Sequence, residues 1–124
     1  RLMMRVGNRI ASQVRARAVV TGESLAQVAS QTIENLACVE DASRLSVLRP
    51  LITYDKVEVV QKARQLLTYE ISIRPGQDCC SLFVPRHPVT RGRVGVCEAE
   101  EARLDVDGIV DGCVGGVETE LIEP

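Results

Sequence analysis

Two adjacent thiols, Cys79 and Cys80, lie between Arg74 and Arg86 in a stretch that also holds Pro75, Pro85 and Pro88. They are the side chains best suited to sulfur chemistry. A thiolate, not a thiol, is the nucleophile, so such chemistry needs positive charge nearby to lower the thiol pKa. The two arginines can supply it, while Asp78 pulls the other way. The competing reading is a pair of small buried hydrophobes, because free cysteine is commonly buried. A second feature is the run Thr21-Gly22-Glu23-Ser24-Leu25-Ala26-Gln27-Val28-Ala29-Ser30-Gln31-Thr32, which follows the apolar Ala18-Val19-Val20. It reads as a strand that turns at Gly22 into a helix capped by Glu23 or Ser24, with small residues that let a ligand or another backbone approach. Open α/β folds place nucleotides at such a turn, where helix amides favour anions. An ordinary β-turn-α connection has the same pattern.

Two cations complete this set. Arg49, between a short strand and Pro50, can pair with phosphate or with a carboxylate such as Glu23. Lys56 falls in the first turn of a helix, where its charge opposes the helix dipole; that mild cost points to a role beyond solubility, against the plain reading of a solvent-facing lysine.

The elements that must position these residues alternate between strand and helix. Leu2, Met3, Val6, Ile10 and Val14 recur at three- and four-residue steps and predict an amphipathic helix over 2–15. A strand over 17–20 follows, then a helix from Leu25 to Ala37. Ser46 to Leu48 is a second strand, stopped by Pro50. Asp55 can N-cap the next helix, with Val57, Val60, Ala63 and Leu67 as its apolar stripe. Residues 71–96 read as loop-rich, Glu98 to Arg103 as a helical turn or more, and 105–124 as a helix followed by an extended arm. The alternation implies an α/β fold with a partial parallel sheet flanked by helices.

Size and composition narrow the class. A chain of 124 residues, 45% hydrophobic and 26% charged, is one small globular domain. Phe83, Tyr54 and Tyr69 are its only aromatics, which argues against a stacking platform for single strands. Its apolar runs are too short to span a bilayer, and a cytoplasmic protein with no membrane partner is expected. The net charge of −2 hides segregation: residues 1–20 carry five arginines and no acid, and residues 98–124 carry nine acids against Arg103. The first set reads as the solvated face of a helix. In 71–97, Arg74, Arg86, Arg91 and Arg93 sit among proline and glycine and can contact phosphate backbones. Five cysteines, an odd number, with no Cys-x-x-Cys pair and only His87 beside them, argue against a disulfide framework and a tetrahedral metal site. Cys38, Cys97 and Cys113 read as structural.

The wording of these segments carries more than their spacing. The run Thr21 to Thr32 resembles the PP-loop ATPase domain of the tRNA sulfurtransferases that make 4-thiouridine, the ThiI family. The resemblance continues through Leu48-Arg49-Pro50-Leu51-Ile52, Asp55-Lys56 and Thr68-Tyr69-Glu70-Ile71-Ser72-Ile73-Arg74-Pro75, and reaches Asp78-Cys79-Cys80 with Phe83-Val84-Pro85. These blocks keep the family's order over about the first three-quarters of the chain. The family's pyrophosphate loop, Ser-Gly-Gly-x-Asp-Ser, has no counterpart among the 124 residues, so the chain resembles the carboxyl-terminal half of the domain. On this reading residues 1–96 are that half-domain and 97–124 its acidic helix and tail.

The resemblance implies an adenine nucleotide alpha hydrolase-like fold, ATP with Mg²⁺ held by the phosphates, and adenylation of a tRNA uridine followed by replacement of its oxygen with sulfur. It also implies a link to thiazole synthesis for thiamine. Gly22 and Gln31 fall on positions that contact ATP, although they can equally be a turn residue and a surface polar group. Arg49 joins them at the same sheet edge. Lys56 falls on a lysine that assists adenylation, and Cys80, with Cys79 one residue away, on the active cysteine. Ala26 stands where the family usually has glycine. Arg74, Arg86, Arg91 and Arg93 are the expected tRNA contacts. The implied partners are tRNA, a cysteine desulfurase as persulfide donor and a sulfur-carrier protein; a second copy of the chain is expected separately, from incomplete sheet edges and exposed helix stripes. The 124 residues alone are expected to be inactive for want of the pyrophosphate loop. Two alternatives stand beside this reading: a PP-loop enzyme with another acceptor, and a non-catalytic module that binds RNA through 74–93.

Overall fold

The computed structural model describes residues 1–25, 27–76 and 87–123. Helix α1 (Leu2–Val14) leads into strand β1 (Ala18–Val20); helix α2 (Ile33–Glu40) connects this to strand β2 (Ser46–Leu48). Helices α3 (Lys56–Gln65), α4 (Tyr69–Ser72), α5 (Val94–Glu101) and α6 (Val106–Gly115) follow, and residues 117–123 have no regular structure. The two strands pair in parallel, with Ala18 opposite Ser46, Val19 opposite Val47 and Val20 opposite Leu48. A parallel pair needs a crossover, and α2 supplies it. The expected α/β architecture with a small parallel sheet flanked by helices is therefore present.

The apolar face of α1 turns inward through Met4 and Ala11, seven residues and two turns apart. Met3 and Val14, members of the expected stripe, face outward instead. The helix packs chiefly on α6, whose Val110 is buried, and α2 packs on α5, with Leu36 and Cys38 buried. Arg15 ends α1 in the left-handed region at φ 55°, its N–H bonding back to Ser12. Cys113, expected to be structural, is exposed.

Polar side chains sew these layers together. Glu101, at the end of α5, takes Arg5 Nη2 at 2.7 Å and Arg1 Nη2 at 2.9 Å. Arg1 also donates to Asp41 Oδ2 and to the Cys38 carbonyl, so one arginine ties α5 to α2.

The helix expected from Leu25 begins eight residues later, at Ile33. Thr32 is its N-cap, with Oγ1 accepting from Asn35 N at 3.2 Å. The preceding residues commit their polar groups elsewhere. Leu25 N donates to the Ile52 carbonyl, Ser24 Oγ to the Tyr54 carbonyl at 2.5 Å, and Gln31 N closes a turn on Val28. Neither Glu23 nor Ser24 caps a helix. A backbone spent on a neighbouring loop cannot also start an i→i−4 ladder, and Thr32 is the later residue with a free side-chain oxygen.

Asp55 caps α3 as expected, in a full capping box: Glu58 N donates to Asp55 Oδ1 at 2.8 Å and Asp55 N to Glu58 Oε2 at 2.7 Å. The stripe of α3 is not buried. Val57 is 63% exposed, and Leu67 lies past the helix end with φ 58° and is 84% exposed. Since packing contributes little here, the cap carries much of the helix's stability. Asp55→Ala should cost about 1 kcal/mol, read as faster amide hydrogen exchange confined to α3 and α4. Of the later elements, α4 lies where no helix was expected, α5 starts at Val94 rather than Glu98, and α6 is the expected helix in the tail.

Candidate nucleotide site

The carboxyl ends of β1 and β2 open onto the loop 21–32. Thr21 N donates to the Leu48 carbonyl at 3.0 Å and carries the parallel ladder one residue past the strands. The chain then departs with Gly22, exposed, with no described residue within 4 Å of where a Cβ would stand and with no positive φ. Neither turn geometry nor crowding within the chain explains a glycine there. The reading of Gly22 as a residue demanded by a tight turn is therefore set aside.

Arg49 follows β2 directly and holds this end together. Its Nε bonds Glu23 Oε2 at 2.8 Å, and its Nη1 bonds Glu40 Oε2 at 2.6 Å. Thr21 Oγ1 donates to the same Glu23 oxygen at 2.9 Å. One guanidinium thus joins the loop after β1, the end of α2 and the end of β2. Its side chain is only 11% exposed. Burial works against its charge, but the bonds to Glu23 and Glu40 outweigh that and raise its pKa above the usual value. Arg49 Nη2 is nevertheless buried without a hydrogen-bond partner among the described residues, and so is Gln31 Oε1. A buried donor and a buried acceptor left unmatched each cost free energy that a bound polar molecule would recover.

Gln31 borders a cleft of about 510 Å³, lined also by Leu25, Val28, Thr32 and Ile33, between the loop and the start of α2. Its walls are mainly apolar with a few polar groups, which is the usual make-up of a small-molecule site. Of the three residues expected to meet ATP, Gln31 lines this cleft, whereas Gly22 and Arg49 lie at the ends of β1 and β2 and are not among its lining residues. Lys56 is exposed at the first position of α3, two residues after Tyr54, whose carbonyl receives Ser24. Among the described residues no cluster of His, Cys, Asp or Glu could hold a metal ion.

A second seam brings in the segment after residue 86. Asn35 Nδ2 donates to the Val89 carbonyl at 2.6 Å and to the Ser30 carbonyl at 2.9 Å, and its Oδ1 accepts from Gly92 N at 2.8 Å. Thr32 Oγ1 adds a bond to the Thr90 carbonyl. These bonds place the exposed Arg91 and Arg93 beside the start of α2, whereas Arg74 is exposed beyond α4. The candidate thiols Cys79 and Cys80 lie outside the described residues, as do Arg86 and Ala26. Sequence reasoning missed Asn35 and Glu40. Asn35 left a weak signal, being an amide in the first turn of a helix that has an apolar inner face; Glu40 left none.

A family model described as thiamine biosynthesis protein (ThiI) matches residues 1–106. A probable tRNA sulfurtransferase of Moorella thermoacetica is 45% identical over the whole chain, which spans 32% of that relative. One of Finegoldia magna is 45% identical over 95% of the chain and 30% of its own length. A crystal structure of a 4-thiouridine synthetase–RNA complex with bound ATP superposes with a TM-score of 0.90 at 41% identity, covering 98% of this chain and 32% of that one. The chain therefore spans about a third of the length of the relatives it matches. Among the described residues no helix is long and apolar enough to cross a membrane.

Proposed function

The chain belongs to the ThiI family, and from that premise we propose that it is part of a tRNA sulfurtransferase, supplying one side of the ATP site at which a tRNA uridine is activated. The product of the whole enzyme is 4-thiouridine, and the same sulfur transfer serves thiazole formation for thiamine. The observation that carries this reading is the pair of buried, unmatched groups, Arg49 Nη2 and Gln31 Oε1, at the carboxyl edge of a parallel sheet. The likeness to a synthetase with bound ATP and RNA supports it.

ATP supplies the leaving group, since AMP departs from the uridine carbon far more readily than hydroxide. The chain's own residues orient and neutralise. Gly22 leaves the backbone open to close approach, Gln31 accepts a hydrogen bond, and Arg49, held by Glu23 and Glu40, presents its remaining N–H groups. Lys56 neutralises phosphate charge, with Mg²⁺ carried by the phosphates themselves. Cys80, with Cys79 beside it, receives or delivers sulfur from a desulfurase persulfide or a carrier protein. Arg74, Arg86, Arg91 and Arg93 meet the tRNA backbone. The enzyme works in the cytoplasm, as a homodimer.

The test is a graft. Residues 1–124 replace the matching third of the Moorella thermoacetica relative, and 4-thiouridine is measured in tRNA from a thiolation-deficient cell. Restored thiolation is expected, with Cys80→Ser abolishing it. A folded graft that binds ATP and leaves tRNA unthiolated would favour another acceptor and overturn the tRNA assignment. Within the graft, Gly22→Val should leave the melting temperature unchanged, because no described residue lies within 4 Å of the added Cβ, yet weaken ATP binding about tenfold or more, read by calorimetry.

A further inference from the structure

The side chain of Asn35 spends both of its polar atoms on backbone, and on two different segments. Nδ2 donates to the Ser30 carbonyl at 2.9 Å and to the Val89 carbonyl at 2.6 Å, while Oδ1 accepts from Gly92 N at 2.8 Å. Ser30 stands between Ala29 and Gln31, which both line the nucleotide cleft. Val89 and Gly92 bracket Thr90 and Arg91, and Arg93 follows. The segment 87–93 has no regular structure and is exposed except at half-buried Gly92; Val89 is 67% exposed. Hydrogen bonds from Asn35, and from Thr32 Oγ1 to the Thr90 carbonyl, therefore fix its course ahead of α5 in place of buried apolar surface. Gly92 has no room for a side chain, since a Cβ would stand 2.6 Å from Asn35 Oδ1 and 3.0 Å from Cys38 Sγ.

We propose that Asn35 is a positioning residue for RNA, one that touches no ligand itself but holds the segment 89–93 so that Arg91 and Arg93, on the reading of both as tRNA contacts, meet the phosphate backbone. Both arginines are exposed, and neither is in an ion pair among the described residues, so their charge is available to a ligand. Long side chains on an irregular segment must give up backbone freedom to bind, and a segment with one fixed course has already lost it. An amide suits this task. It satisfies two carbonyls with its nitrogen and an N–H with its oxygen, whereas a carboxylate has no donor for the carbonyls. The same nitrogen ties the RNA-facing segment to Ser30, so one side chain also braces the wall that carries the unmatched Gln31 Oε1.

The experiment measures binding of unthiolated tRNA to the grafted enzyme by fluorescence anisotropy over a range of salt concentrations. The proteins are the wild-type graft, Asn35→Ala, Gly92→Ala and the pair Arg91→Gln with Arg93→Gln. Each phosphate contact adds roughly 0.7–0.9 to the slope of log affinity against log salt, so the arginine pair should lower that slope by about 1.5–2. Asn35→Ala removes no charge, yet it should lower the slope by about 1 or more and weaken tRNA binding about tenfold at fixed salt. Gly92→Ala should match it, because the added methyl pushes the segment off from the other side of the same bond. ATP affinity separates the two variants: it falls several-fold in Asn35→Ala, which frees Ser30, and holds at the wild-type value in Gly92→Ala, which does not. A residue that served folding alone would lower the melting temperature and leave the salt slope as it was. Unchanged slopes in both neutral variants, with a reduced slope in the arginine pair, would overturn the positioning role and leave the RNA contacts standing. An unchanged slope in the arginine pair would refute those contacts, and the positioning role with them. Should Asn35→Ala not fold, Gly92→Ala decides, since it leaves the cap of α2 and the bond to Ser30 in place.

Discussion

Glu101→Gln should lower the stability of the chain by about 2–3 kcal/mol, a fall in melting temperature of about 10 °C or more. The reason is the number of cationic groups that one carboxylate satisfies. Glu101 receives Arg5 and Arg1 together, and its side chain and that of Arg1 are only 13% and 9% exposed. Removing the charge leaves two guanidinium groups in a partly dry interface, with Asp41 and the Cys38 carbonyl as the remaining partners of Arg1. Apolar burial offers little to compensate, since the buried apolar side chains among the described residues are only Met4, Ala11, Leu36, Cys38, Ala42 and Val110.

The same residue sets a pH dependence. Hydrogen bonds from Arg5 and then Arg1, outweighing the opposing effect of burial, hold the Glu101 carboxyl at about 2, below its ordinary 4.5. A carboxylate whose folded pKa is depressed contributes stability that is complete above the unfolded value and disappears as the pH falls through the folded one. The contribution is therefore full above pH 4.5 and is lost progressively down to about pH 2. Acid titration followed by circular dichroism should show wild type losing stability over this window and Glu101→Gln nearly flat across it. Identical acid limbs would contradict the assignment.

The second large effect belongs to Arg49. Two carboxylates and one buried, unmatched nitrogen give it a structural role and a ligand role, and a double-mutant cycle separates them. If Arg49 served only to hold Glu23, then Arg49→Ala and Glu23→Gln would weaken ATP binding equally, and the double variant would add nothing. If Nη2 also donates to the nucleotide, Arg49→Ala should cost about ten- to a hundredfold in ATP affinity while Glu23→Gln costs several-fold less. The second pattern is expected. Arg49→Lys should resemble alanine more than arginine, because an ammonium cannot span two carboxylates and still aim a third donor. Glu40 is half-exposed, so Glu40→Gln should be nearly neutral, and a large loss there would assign the whole effect to folding.

Local signals were legible where local chemistry decides the outcome. Both strands, the cap at Asp55 and the helix of the tail follow from apolar patterning and from one side chain bonding the amide three residues on. The order of blocks from Thr21 to Pro75 was likewise readable as wording, and it pointed to the ThiI family before any coordinate did. The start of α2 was not readable, because Leu25 spends its N–H on the Ile52 carbonyl and Ser24 its hydroxyl on the Tyr54 carbonyl, both in the loop after β2, and no short-range pattern announces those bonds. The stripe of α3 was visible and yet lies exposed, since periodicity says which residues share a face and nothing about whether another element covers it.

What the amino-acid order alone determined is thus the set of elements and the kinship. Which charges meet was decided by tertiary structure. Arg49 with Glu23 and Glu40, and Glu101 with Arg1 and Arg5, join residues far apart along the chain or across a crossover, and no short-range rule links them. Their interactions depend on burial and on sub-ångström approach, both of which exist only once the helices have packed.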